Sequence, residues 1–174
     1  SYARAGKYMG WDPLLFLGVD VHHKTLGLLG FGRVGQALAK RALGFDMRIL
    51  YHDRHRAEPE IENQLGATFV DADSLLNNVD FLSIHVPLTP ETTGMINAEK
   101  LSLMKPAAFI INTARGEIIR EDDLVKALEE KRIAGAGLDV FEREPEIHPG
   151  LLEMDNVVIL PHIGSASLET RTEM

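Results

Sequence analysis

An apolar run, Thr25 to Leu29, passes without interruption into Gly30-Phe31-Gly32-Arg33-Val34-Gly35, and apolar residues then recur at helical spacing from Val34 to Leu43. Few architectures let a strand turn this sharply into a helix. Gly30 permits the tight turn, Gly32 lets the backbone approach a phosphate, and Gly35 lets the helix pack close to its sheet. The helix opening, with Arg33 and Val34, offers free N–H groups and a partial positive charge to an anion. A second apolar run, Met47 to Tyr51, is followed by Asp53, 18 positions past Gly35. An acidic residue there is placed to accept hydrogen bonds from an adenosine ribose, so the segment reads as a dinucleotide site. Asp53 repels a 2′-phosphate and favours NAD, whereas Arg54 and Arg56 are the groups a 2′-phosphate would recruit, which keeps NADP as the alternative.

The rest of the chain continues the alternation. Apolar runs at Ala67 to Val70, Phe81 to Val86, Ala107 to Ile111, Ile133 to Leu138 and Val157 to Leu160 are interleaved with helical patterns at Ala72 to Leu76 and Asp122 to Glu130. This predicts an α/β fold, a Rossmann-type doubly wound parallel sheet with helices on both faces. The later runs are apolar throughout, as expected of strands covered on both sides. Residues 1–18 stand outside the pattern, carry a turn signal at Trp11-Asp12-Pro13, and read as a connecting arm to a single unit over 19–174. The start at Ser1 and the stop at Met174, within what reads as the opening of a helix, are those expected of part of a longer protein.

Composition narrows the chemistry. With 45% hydrophobic residues the chain can build a core, and with no cysteine it has no disulfide, thiolate nucleophile or thiolate metal site; no metal is expected. A net charge of −8 argues against nucleic acid, whose phosphates need clustered Lys and Arg. No stretch approaches the ~20 apolar residues of a membrane helix, and the expected address is the cytoplasm.

In an open α/β sheet, ligands bind beyond the carboxyl ends of the strands. Those ends here deliver the glycine turn, Asp53, His85-Val86-Pro87, Asn112-Thr113-Ala114-Arg115-Gly116, Asp139 and Pro161-His162-Ile163-Gly164. A guanidinium at Arg115 can grip a carboxylate bidentately, which suits a 2-oxo or 2-hydroxy acid. Reduction of a ketone by hydride needs a proton donor that titrates near neutrality, and His162 fits. A carboxylate beside it would hold its tautomer; spacing leaves Asp139, Glu142, Glu144 and Glu146 open.

Taken together, Gly30-x-Gly32-x-x-Gly35, Asn112-Thr-Ala-Arg-Gly116, Gly137-Leu-Asp-Val-Phe141 with Glu144-Pro145, and Pro161-His-Ile-Gly164 resemble the D-2-hydroxyacid dehydrogenase family. Within it the sequence is most similar to glyoxylate/hydroxypyruvate reductases, through Trp11-x-Pro13, Val86-Pro-Leu-Thr-Pro90 and His162-Ile-Gly-Ser-Ala166. The resemblance implies that Arg115 binds and polarises the 2-oxo acid, that His162 exchanges the proton, and that Glu144 orients His162. It also implies that Asp139 and the carbonyls near Gly164 hold the nicotinamide carboxamide, with Val86, Pro87, Thr113 and Ala114 lining the cofactor. Formate dehydrogenases of the family carry Gln at the orienting position, and NADP-preferring glyoxylate reductases have a small residue where Asp53 stands. The family's substrate domain is absent from this chain, and the resemblance implies a homodimer through this domain, with Trp11 and Phe16 as anchors. The competing expectation is an NAD-sensing regulator like the corepressors of the same fold.

Overall fold

The computed structural model describes residues 2–174. In chain order the elements are β1 (Thr25–Leu29), α1 (Arg33–Ala42), β2 (Arg48–His52), α2 (Pro59–Leu65), β3 (Ala67–Phe69), α3 (Ala72–Asn78), β4 (Phe81–Ile84), α4 (Ala98–Leu103), β5 (Phe109–Asn112), α5 (Glu121–Glu129), β6 (Gly135–Leu138), α6 (Pro149–Leu152), β7 (Val157–Ile159) and α7 (Leu168–Glu173). Short 3₁₀ turns occupy Leu43–Phe45 and Gly116–Ile118. The strands form one sheet in the order β3-β2-β1-β4-β5-β6-β7, parallel throughout. The chain winds outward from β1 in both directions, so the order reverses between β1 and β4. That is the crevice where a doubly wound sheet takes a ligand.

Side-chain alternation along each strand separates two cores. On β2, Ile49 and Tyr51 join Leu26, Leu28, Ala39, Ala42 and Leu65 on one side, while Leu50 joins Leu29, Leu75, Leu82, Ile84 and Ile110 on the other. Leu28, Leu82 and Ile110 are fully buried, and each such side chain contributes about 1.5–3 kcal/mol relative to exposure. Gly27 is the close-packing point of β1, because a Cβ there would lie 2.3 Å from Val79 Cγ1 behind α3.

Three helices were not legible as periodic runs. In α2 the apolar residues facing the core are Ile61 and Leu65, one turn apart, with the buried Glu62 between them, and the start is marked by Pro59 at the first position. The six-residue α4 is set by Asn97, whose side chain accepts from Lys100 N at 3.1 Å. The four-residue α6 is too short to carry a period.

The expectation that the last apolar run is covered on both faces needs correction, since Val158 is 63% exposed and Leu160 is also exposed. β7 is one of the two edge strands, bonded only to β6, and α7 is exposed along its length. Residues 2–21 form turns without strand or helix, the Asp12 carboxylate accepting from Leu14 N at 2.8 Å. Trp11 and Phe16 are 85% and 73% exposed.

Candidate functional site

Because all seven strands are parallel, their carboxyl ends share one edge, and the predicted residues arrive there together. Gly30 has φ +98°, and a Cβ on it would lie 2.7 Å from the His85 carbonyl carbon and the Val86 nitrogen. Only glycine lets the exits of β1 and β4 approach so closely. A Cβ on Gly35 would meet the Gly30 oxygen at 2.5 Å, whereas one on Gly32 would meet nothing within 4 Å. Gly32 caps α1 without a side-chain hydrogen bond, so open space lies directly before the uncapped N-terminus of a ten-residue helix.

The Asp53 carboxylate closes this turn: Oδ2 accepts from Phe31 N and Oδ1 from Arg54 N, each at 2.7 Å. A cavity of about 260 Å³ runs along it, lined by Gly30, Gly32, Asp53, Arg54, Val86 and Pro87 among others. A neighbouring one of about 490 Å³ is lined by Val34, His85, Pro87, Thr113, Ala114 and Arg115 among others. Arg56 does not line either cavity. Its guanidinium binds both Glu62 oxygens, at 2.9 and 2.8 Å, and Glu62 also accepts from the Tyr51 hydroxyl at 2.6 Å. Arg56 first, and Tyr51 second, hold the Glu62 carboxyl below its ordinary range.

Beyond β5 the chain is shaped by Asn112, only 1% exposed, whose Oδ1 accepts from Ala114 N at 3.0 Å and whose Nδ2 donates to Arg115 O at 2.8 Å. Arg115 is exposed above this turn, and its Nη1 donates to Ala114 O at 2.6 Å. Gly116 then presses on the next loop so closely that a Cβ would overlap the Phe141 carbonyl carbon, at 1.9 Å. Asp139, 3% exposed at the end of β6, accepts from Ile163 N at 2.7 Å and Gly164 N at 2.6 Å. Those two bonds hold the residues after His162, which itself sits at a left-handed φ of 53°.

Of the four carboxylates that spacing left open, Glu144 is the one bonded to His162, its Oε2 lying 2.9 Å from Nδ1. Its Oε1 accepts from Phe141 N at 3.1 Å. The His162 hydrogen bond keeps the Glu144 carboxyl below its usual range against a smaller opposing effect of burial. Asp139 is engaged with the His162 loop, and Glu142 with Glu121 N at 3.1 Å. His85, half-buried beside the glycine turn, meets Ser83 Oγ through Nε2 at 2.9 Å, and burial pushes its pKa below the ordinary imidazole value. Asn112, Gly116 and Glu121 contact the loops that carry the site without having been singled out individually; an amide side chain just before an exposed turn was the available signal for Asn112. Among the described residues no cluster of His, Asp and Glu could hold a metal ion, and no helix is long and apolar enough to cross a membrane.

Residues 1–164 match the family described as D-isomer specific 2-hydroxyacid dehydrogenase, NAD binding domain. The chain belongs to this family. A glyoxylate reductase of Thermococcus onnurineus is 54% identical over 178 residues, spanning 100% of this chain and 53% of that protein. The crystal structure of a glyoxylate reductase from Paecilomyes thermophila superposes with a TM-score of 0.91 at 43% identity, over 99% of this chain and 51% of that one. The apo D-mandelate dehydrogenase of Rhodotorula graminis gives 0.87 at 36% identity, over 90% and 46%. The chain thus spans about half the length of the curated relatives it matches. The regulator reading finds no support among these relatives.

In this dehydrogenase domain the chemistry available at the edge is specific. With Glu144 engaging Nδ1, the ring nitrogen of His162 left for exchange with a ligand is Nε2. Arg115 supplies an exposed guanidinium whose planar fork matches a carboxylate. The open N-terminus of α1 and the carboxylate of Asp53 stand on the same edge, and an uncapped helix N-terminus is a favourable place for an anion.

Proposed function

We propose that this chain is the nucleotide-binding and catalytic part of an enzyme that moves a hydride between NAD and a small 2-oxo/2-hydroxy acid, with glyoxylate or hydroxypyruvate as substrate. The observation that carries the reading is the Glu144–His162 pair at 2.9 Å, on the same sheet edge as Arg115 and the glycine turn. A dinucleotide suits this edge because a Cβ on Gly32 would meet no atom, leaving room for a pyrophosphate at the helix N-terminus. When bound, the nicotinamide supplies or accepts the hydride.

The side chains do the rest. Arg115 binds the substrate carboxylate and polarises its carbonyl. His162 Nε2 gives a proton to the carbonyl oxygen on reduction and takes it back on oxidation, and Glu144 keeps Nδ1 engaged and stabilises the imidazolium. Asp139 and the backbone at Gly164 hold the carboxamide, while Val86, Pro87, Thr113 and Ala114 line the cofactor. NAD is preferred to NADP because Asp53 lines the cavity along the glycine turn, where its charge would repel a 2′-phosphate, and Arg56 is committed to Glu62, leaving Arg54 alone to meet such a group. Residues 1–18 serve as an arm to the domain over 19–174, and the exposed Trp11 and Phe16 anchor a homodimer through it.

The test is NADH oxidation driven by glyoxylate or hydroxypyruvate in the longer protein that carries this domain, with parallel calorimetric titration of the chain by NADH and NADPH. Turnover abolished by His162→Ala, with NADH binding the tighter of the two, supports the reading. Turnover preserved in that variant refutes the proton-donor role, and tighter NADPH binding moves the assignment to Arg54.

A further inference from the structure

Glu121 opens α5, yet little of what it does serves that helix. Its side chain is buried, 7% exposed, and its Oε1 accepts from Glu142 N at 2.7 Å, across to the loop that leaves β6. In return Glu142 Oε2 accepts from Glu121 N at 3.1 Å. The cap position itself belongs to Arg120, which makes no side-chain capping bond. A buried carboxyl costs free energy unless specific partners recover it, and helix capping alone needs only a short exposed side chain. Burial pushes the Glu121 carboxyl above its ordinary range; the bond from Glu142 N is the largest effect opposing it, the charge of Glu142 adds to it, and His148 and Arg143 oppose it less. The residue is therefore held in an unfavourable environment by one backbone contact, and the location of that contact matters.

Two adjacent amides of the β6 loop point to two different carboxyls: Phe141 N to Glu144, at 3.1 Å, and Glu142 N to Glu121, at 2.7 Å. The loop then turns through a bond from Glu146 N to Arg143 O, which presents Glu144. On its other side it is wedged against Gly116, next to Arg115. We propose that Glu121 is a positioning residue that fixes the Phe141–Glu142 backbone, and through it the carboxylate of Glu144 against His162. It also ties that pair to the Arg115 turn, since Glu121 and Gly116 grip the same peptide from one short segment. This rests on the reading of Glu144 and His162 as the working pair.

The test is a ¹³C-carboxyl NMR titration of Glu144 in the chain itself. In Glu121→Ala the Glu144 midpoint, held low by His162 in the parent, rises by about 0.5–1 pH unit as the pair loosens. Glu121→Gln, which keeps an oxygen for the Glu142 amide, leaves the midpoint at its parental value. Glu121→Asp, with the acceptor withdrawn by one methylene, shifts it as alanine does, and the Asp and Gln variants decide the matter if the alanine variant does not fold. An unchanged Glu144 midpoint in the Ala and Asp variants, however far their melting temperatures fall, overturns the proposal, and so does a shift in the Gln variant equal to that in alanine. The measurement uses no substrate, so a failure of turnover would count against the proposed reaction and not against this coupling.

Discussion

Gly32 offers a way to separate ligand binding from folding at one position. Its backbone, φ −74° and ψ −163°, is open to any residue, and an added Cβ would meet no atom within 4 Å. In the ligand-free protein Gly32→Ala is therefore nearly neutral: a loss of a few tenths to ~1 kcal/mol in helix capping is offset by about 0.4–1 kcal/mol of reduced unfolded-state entropy. The melting temperature should move by no more than about 3 °C, at roughly 2–4 °C per kcal/mol for a chain of this size. On the proposed reading, the methyl group nevertheless stands where a pyrophosphate would approach the α1 N–H groups. Losing one charge-assisted hydrogen bond costs about 1.5–3 kcal/mol, or roughly 10- to 150-fold in Kd. Gly35→Ala is the counterpart, because its Cβ would lie 2.5 Å from the Gly30 oxygen. Overpacking against backbone costs about 1–3 kcal/mol, a fall of roughly 2–12 °C in melting temperature. Calorimetric titration with NADH and differential scanning calorimetry read both effects. NADH binding to Gly32→Ala with parental affinity would refute the phosphate-site assignment, and a Gly32→Ala variant as unstable as Gly35→Ala would refute the packing argument.

Glu144→Gln should lower kcat for keto-acid reduction by about 10²-fold or more with NADH affinity unchanged in titration, since Glu144 touches His162 and not the glycine turn. Asn112→Ala should destabilise by about 1–3 kcal/mol through the unpaired Ala114 N–H and Arg115 C=O, and should raise KM for the keto acid as the Arg115 turn loosens, both measurable by melting and steady-state kinetics. His85 has a folded pKa below its unfolded value of 6.5, so the unfolded chain binds the proton first as pH falls. Stability is full above that value and is lost as pH drops through the window down to the folded pKa; melting curves of the parent against His85→Asn should diverge there, and parallel curves would show that His85 does not titrate on unfolding.

The fold was legible where local chemistry and tertiary position agree. The β1–glycine–α1 run has one structural solution, and the apolar runs for β2, β3 and β4 reach both cores while those for β5 and β6 reach one, so periodicity and burial largely coincide. Legibility failed at β7, because an apolar run does not say whether an element will cover it, and at α2 and α4, whose starts are set by single residues at positions 59 and 97. At the site, spacing alone made the residue types legible and not the pairings; the resemblance supplied Glu144 as the partner of His162, and the structure bonds the two. Four acidic residues lie within reach of His162 in sequence terms, and the choice of Glu144 depends on a hydrogen bond to Phe141 N and a turn at Arg143 that no spacing rule encodes. Likewise the commitment of Arg56 to Glu62 joins the β2 exit to α2, a contact visible only once that helix exists.

The choice of carboxylate or amide at each strand exit follows from what the neighbouring backbone offers. Asp53 meets two N–H groups, of Phe31 and Arg54, and Asp139 meets two, of Ile163 and Gly164. Two donors require two acceptor oxygens, which a carboxylate has and an amide lacks, since asparagine would set its NH₂ against one N–H. Asn112 meets one donor, Ala114 N, and one acceptor, Arg115 O, a pattern that an amide satisfies and an ionised carboxylate cannot. Three strand exits thus carry the polar side chain whose donor and acceptor count matches the loop it must hold. The side chains facing the ligand edge are also the ones that shape it, so the geometry at Arg115 and His162 is set by the fold before any ligand arrives.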